Sequence, residues 1–323
     1  MSQGAVLAGM KAQLLSATLF TALSGVVYAA DPVLVNLVMP DAKVIAGVNV
    51  EQAKGTLFGQ YLLMQIQTND AEMQKLVALT GFDPRRDVRE VLVASNGAGH
   101  EQSGLALARG NFDVAKITAA ATLSDKGVAT ESYAGVTILE EPNGKNGIAF
   151  LDSTTVVAGD IANVKAAIDR RSNLQPLPAA LMVKINQWST SQDAWGISAV
   201  PPTSLAPAMK NPTGTSPNPM LTSAQSVQQA FGGVKFGTNV VFSSEAVCDT
   251  AQNATALGDL VKFAVNLAQM QASQNAAAAA LVNSVTVTPN GTSLKVSASL
   301  PEDVFVQLVG SHKTTTPQGR VRR

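Results

Sequence analysis

"GVTILEEPNGKNGIAFLDSTTVVAGDIANVKAAID" (residues 135–169) and "SVTVTPNGTSLKVSASLPEDVFVQLVG" (residues 284–310) share one punctuation mark. In each, Pro-Asn-Gly separates two runs of alternating apolar and polar residues, and an Asp- or Glu-led helical pattern follows. Asn-Gly tolerates the positive φ that tight hairpin turns demand, and the preceding proline restricts the approach. Both stretches therefore read as a hairpin followed by a helix. The expectation is that the hairpin at Asn143-Gly144 and the hairpin at Asn290-Gly291 are equivalent parts of two related halves.

Working outward, the first half opens on the strand "AKVIAGVNV" (42–50), rich in Val and Ile. Leu57, Tyr61 and Met64 recur at helical spacing, as do Met73, Leu76, Val77 and Thr80, and Gly81 stands where a helix C-cap belongs. "VREVLVAS" (88–95) and "SGLALARG" (103–110) are strands joined by "NGAGHEQ". A helix starts at Asp113 and another at Asp160, with Ile161, Val164 and Ile168 on one face. In the second half "DAWGISAV" (193–200) is a strand, "PPTSLAPAM" starts a short helix, "NPTGTSPNP" is a loop, and "SAQSVQQAF" (223–231) resumes helix. "GGVKFGTNV" and "SSEAVCD" form a hairpin, and a long helix runs from Thr250 with Leu257, Leu260, Val261, Ala264 and Ala268 inward. Val304, Phe305, Leu308 and Val309 stripe the last helix. Each half thus reads β-α-α-β-β-α-β-β-α. Asp113, Asp160 and Asp249 each stand where an N-cap carboxylate accepts from free backbone amides. The fold class is α+β: two related halves, residues 30–180 and 181–310, each a mostly antiparallel sheet with helices packed on one face. The boundary region is "RRSNLQPLPAALMVKINQWSTSQ" (170–192).

Composition narrows the function. Of 323 residues 46% are apolar, enough for a sizeable core, while only 14% are charged against an ordinary ~25%. Formal net charge is zero, but Lys313, Arg320, Arg322 and Arg323 sit in the last thirteen residues with no acid beside them. Setting these and Lys11 aside leaves 18 basic residues against 23 acidic ones. An acidic body lacks the basic footprint that nucleic-acid binding needs. The segment 311–323 reads as a disordered basic tail.

Residues 1–29 read as a secretory leader, with Met10 the true start. Lys11 supplies the positive n-region, Leu14 to Val27 the apolar run, and Val27-Tyr28-Ala29 the short residues before a cleavage site. The run falls short of the ~20 residues of a transmembrane helix, so no stable membrane insertion is expected once the leader is removed. No Cys adjoins the site for lipid attachment. A periplasmic or secreted location follows, and the single Cys248 is expected to be buried and unreactive there.

"GFDPRRDVREVLVAS" (81–95), with "FDVAKI", "YAGVTILE" and "STTVVAGD…VKAAID", resembles a family of exported bacterial proteins with no assigned activity. The resemblance covers most of the mature chain. It implies export and an α+β fold and transfers no catalytic residue.

Chemistry is sparse. The two histidines, His100 in a hairpin loop and His312 in the tail, give no zinc-ligand spacing and no base for a Ser or Cys triad. No catalytic residue, metal or cofactor is expected. "GAGHEQSG" starts Gly-x-Gly after a strand but is followed by a strand, which a dinucleotide site forbids. The densest polar group is "FDPRRDVRE", whose Arg85, Arg86, Asp87 and Arg89 form the candidate ligand site, since arginine suits bidentate carboxylate or phosphate binding. Interleaved signs also let these charges satisfy one another at a turn. Glu140-Glu141 is a carboxylate pair beside a turn, and Trp188 and Trp195 flank the boundary as packing residues. The leading reading is a non-enzymatic exported protein that binds an envelope partner. The alternative is a carrier of a small molecule or lipid in a cleft between the halves; a carboxylate-dependent hydrolase ranks third.

Overall fold

The computed structural model describes residues 29–67, 71–97, 104–123, 127–142, 144–201, 225–272 and 275–311. The expected leader before Ala29, His100, the short helix and loop of 202–224, Asn143 and the tail from His312 lie outside them. Among the described residues twelve strands form one antiparallel sheet: β1 (Val44–Asn49), β2 (Val88–Ser95), β3 (Gly104–Gly110), β4 (Ala129–Tyr133), β5 (Val136–Glu140), β6 (Asn146–Asp152), β7 (Thr155–Asp160), β8 (Ala194–Ser198), β9 (Val227–Lys235), β10 (Asn239–Cys248), β11 (Thr286–Asn290) and β12 (Ser293–Pro301). Their order is β11-β12-β10-β9-β8-β1-β2-β3-β7-β6-β5-β4.

The fold is α+β in two parts that meet edge to edge. The seam is the antiparallel pair β1–β8, with Gly47 opposite Trp195 and Ile45 opposite Ile197. Outward from it the order on one side is β1-β2-β3-β7-β6 and on the other β8-β9-β10-β12-β11. The first part then adds β5 and β4. This correspondence overturns the expected match of the two Pro-Asn-Gly turns. The β11–β12 hairpin turns at Gly291-Thr292, with Gly291 at φ +58°. Its positional counterpart is the β6–β7 hairpin, which turns at Ser153-Thr154. The first Pro-Asn-Gly lies between β5 and β6, where the added β4–β5 hairpin joins the rest of the sheet.

Eleven helices are described: α1 (Pro32–Leu37), α2 (Val50–Ala53), α3 (Leu57–Gln67), α4 (Ala71–Thr80), α5 (Pro84–Asp87), α6 (Val114–Thr122), α7 (Ile161–Arg170), α8 (Ala179–Ser191), α9 (Ala251–Ala272), α10 (Ala276–Asn283) and α11 (Glu302–Ser311). One face of the sheet presents Ile45, Leu92, Leu105, Leu107, Ile138, Ala149, Val157 and Ile197, all buried in the main core against α1, α7 and α8. On the opposite face Val234, Phe242 and Leu300 pack with Phe58, Phe236 and Phe305 under α3 and α11, and Cys248 packs with Ala254 of α9. Within the expected helix at 223–231, residues 227–231 are in fact the start of β9, and α1, β4 and α8 were not anticipated. Gly81 does cap α4, at φ +72° with its N–H on Val77 O.

Candidate functional site

The charged cluster is built on the four-residue helix α5. Asp83 caps it, accepting from Arg85 N at 3.0 Å, and Pro84 occupies the first turn where a missing N–H costs nothing. Arg85 returns two guanidinium nitrogens to the Asp83 carboxylate. Arg86 grips Asp87 bidentately, Nε and Nη2 each at 2.7 Å, and its Nη2 also reaches Gly81 O. Asp87 Oδ2 accepts Asp83 N–H at 2.8 Å. Hydrogen bonds from Arg85 hold the Asp83 carboxyl below the usual range, and those from Arg86 do the same for Asp87. Arg89 stands apart, donating to Asn111 Oδ1 at 3.1 Å. The structure thus brings Arg85, Arg86 and Asp87 together as two intramolecular ion pairs that close a turn, and Arg89 does not join them.

Glu140 meets Glu131 of the neighbouring edge strand rather than Glu141. Lys165 Nζ holds Glu131 at 2.7 Å and lowers its carboxyl below the usual range; contact with Glu131 raises that of Glu140. Glu141 accepts from Asn146 Nδ2 instead. Among the described residues no three His, Cys, Asp or Glu side chains approach closely enough to hold a metal ion.

A cleft of about 380 Å³ lies beside α8, lined by Gln187, Trp188, Gln192, Ser243, Glu245 and Lys295 among others. Its wall includes Trp188, stacked on Phe231, and Lys184 lies 4.4 Å from the Phe231 centroid. The buried Trp188 Nε1 and Gln192 Oε1 have no hydrogen-bond partner among the described residues.

The most extended feature is apolar. On the sheet face away from α1, α7 and α8, cross-strand pairing aligns Gly196, Ala46, Val93, Ala106, Ala158, Ile148 and Leu139 in one row. In the middle of this face Val93 is 45% exposed, Ile148 43% and Val48 37%. Strands that are apolar on both faces are the pattern of a sheet covered on both sides. Here one side is covered and the centre of the other is open. The α3–α4 pair starts against α11, where Phe58 and Phe305 meet at 4.7 Å, and ends near α6, where Phe82 and Phe112 meet at 5.6 Å. It therefore links the two parts on this same side, with Leu57, Met64 and Leu79 exposed. The row was not found from sequence. Its signal is the unbroken apolar runs "VLVA" and "LALA", which mark strands without saying that both of their faces are apolar surfaces to be covered.

No family model matches the chain, and no curated protein matches it. Solved structures do resemble it. Crystal form III of TP0453 superposes with a TM-score of 0.54 at 10% identity, covering 86% of this chain and 97% of that one. Crystal form I gives 0.51 at 11% identity, covering 87% and 98%. The likeness concerns the fold alone. Among the described residues no helix is long and apolar enough to cross a membrane.

Proposed function

We propose that this chain is an exported, non-enzymatic binding protein whose working surface is the open apolar face of the sheet. Export rests on the leader pattern of residues 10–29. The observation that carries the binding role is the row of paired apolar residues through Ala46, Val93, Ala158 and Ile148, with Ala46 and Ala158 half-buried and Val93 and Ile148 exposed, since exposed apolar patches mark interaction sites. A sheet face of this kind is ordinarily covered by the apolar stripe of a helix. The partner is accordingly an amphipathic segment of an envelope protein. A second reading, an apolar small molecule or lipid held across the seam, is favoured by the α3–α4 arm, which links the two parts on this side and leaves Val93 and Ile148 uncovered.

The test is a photo-crosslinking residue at position 93 in the intact producing cell. A discrete protein adduct lost on Ile148→Lys supports the first reading. A lipid adduct, with saturable uptake of an apolar fluorophore by the purified protein, supports the second. Neither adduct nor uptake rejects the surface. N-terminal sequencing of the exported form beginning at Ala30 supports export, and a start at Met1 or Met10 rejects it.

A further inference from the structure

The base of α1 is a small charge cluster that lacks one cation. Asp31 caps the helix, its Oδ1 accepting Val33 N–H at 2.7 Å, while Oδ2 accepts from Arg109 Nε at 2.8 Å. Arg109 Nη1 turns to Thr154 Oγ1 and Thr155 Oγ1, so only one edge of its guanidinium serves a carboxylate. Glu90, next to Arg109 in the β2–β3 ladder, directs both oxygens at a backbone amide, Asp31 N–H, at 3.0 and 3.3 Å. With both carboxyls ionised, two carboxylates and one guanidinium leave a net charge of −1 in a half-buried place. Residue 30 lies directly before this amide. Ala30 is 7% exposed and belongs to the main core, whereas Ala29 is exposed.

We infer that Glu90 is the seat of the processed N-terminus: cleavage between Ala29 and Ala30 creates an α-ammonium that Glu90 and Asp31 receive. This rests on the export reading above. Covalent geometry supports it. Successive backbone nitrogens lie within about 3.7 Å of each other, so the Ala30 nitrogen is within about 7 Å of the Glu90 carboxylate before any adjustment. Cleavage hydrolyses the Ala29–Ala30 amide, water supplying the hydroxyl of the released carboxyl and the hydrogen of the new amine. Below its ordinary pKa of about 8 that amine is protonated, and the cluster becomes neutral. A cation at a helix N-terminus is opposed by the helix dipole, and the two carboxylates offset that. The burial of Ala30 also fixes the order of events. A peptidase cannot reach this bond once Ala30 is seated, so cleavage precedes the docking of α1. Burial already pushes the Glu90 carboxyl up to about 7 with the amide intact, which is the response of a carboxylate short of a counter-ion. The charged groups facing it are Asp31 and Arg109.

The experiment compares two forms of the purified protein, one starting at a free Ala30 and one carrying Gly-Ser before it. NMR titration of the Glu90 carboxyl is expected to give a pKa lower by about one unit or more in the free form. The free form should also melt higher at pH 7, and Glu90→Gln should erase that difference. Should Glu90→Gln fail to fold, the wild-type α-amine provides the readout: it should react with an amine reagent far more slowly in the folded than in the unfolded protein. Equal Glu90 titration in both forms, or a freely reactive amine, overturns the inference. Failure of the export reading would show separately, as an exported chain not starting at Ala30, with the purified forms still differing.

Discussion

Gly47 of β1 lies beneath the indole of Trp195 on β8, so that a Cβ on Gly47 would stand 2.7 Å from Trp195 Cζ2. The two parts of the sheet are joined there, and a hydrogen in place of a side chain lets the largest side chain of the seam lie flat across its partner. Trp195 is buried and shares the main core with Ile197 and Trp188. Gly47→Ala is expected to force the ring off its site, at a cost of about 1–3 kcal/mol. Urea unfolding checks this; an unchanged midpoint would mean that the seam is not packed as described.

Cys248 closes β10 at a bulge and packs against Val227 and Ala254. Its thiol is expected to resist a thiol reagent in the native protein and to react promptly in denaturant. Fast native labelling would show that α9 does not stay seated on this end of the sheet.

Much of the sheet was legible because its inward residues alternate: Ile45, Leu92, Leu105 and Leu107 sit at period two in runs bounded by Gly and polar residues. The start of β9 was not. Val227 and Phe231 are four apart, which suits one face of a helix, and the bulge at Val247/Cys248 turns Val227 to the opposite face from Phe231, so simple alternation fails there. The Asp caps were legible only by position. Asp113 accepts Lys116 N–H as expected. Asp160 spends its carboxylate on Gly104 N–H of the neighbouring strand, and at α9 it is Thr250 Oγ1 that accepts the Asn253 amide. The Pro-Asn-Gly match misled because turn chemistry records a tight hairpin and not its place in the sheet. The charged cluster was visible as a cluster, but pairing depends on which side chain each arginine reaches. The open face was invisible, since nothing in a strand says which of its two apolar faces a helix will cover.

Asp87 tests the cluster as structure. Its carboxylate takes Asp83 N–H and both arms of Arg86 while lying buried, so Asp87→Ala leaves a half-buried amide unpaired and should cost about 1–3 kcal/mol. Arg86, largely exposed, should cost less than about 1 kcal/mol when replaced by Ala. Equal effects from the two would indicate that the turn is held by something other than this carboxylate.

With a residue preceding Ala30, Glu90 makes stability depend on pH in a definite direction. Its folded pKa of about 7 exceeds the ordinary 4.5, so the folded state binds the extra proton between those values. Stability is therefore greatest below pH 4.5 as far as this group is concerned, falls as pH rises toward 7, and levels off above. Asp83, Asp87 and Asp113, whose carboxyls are lowered, act in the opposite sense and below about pH 4. The difference in melting temperature between wild type and Glu90→Gln should change across pH 4.5–7 and stay flat elsewhere. A constant difference would mean that Glu90 titrates normally.

A buried hydrogen bond anchors the start of the α3–α4 arm. Phe58 N–H, among the amides left open at the start of α3, donates to Glu302 Oε1 at 2.8 Å, a buried bond across 244 positions of sequence. Glu302 opens α11, and the ring of Phe58 inserts between Phe305 and Phe236 at 4.7 and 5.3 Å. Glu302→Ala keeps the rings but strands the amide, at an expected cost of about 1–3 kcal/mol. Glu302→Gln retains an acceptor of nearly the same reach and should recover most of that. Because the arm is held by its ends, the loss should be local as well as global: amides of Leu57–Gln67 should exchange faster in Glu302→Ala while those of β2 and β3 keep their protection relative to global unfolding. If exchange in Leu57–Gln67 is unchanged, the aromatic cluster alone fixes the arm, and Glu302 serves only the start of α11.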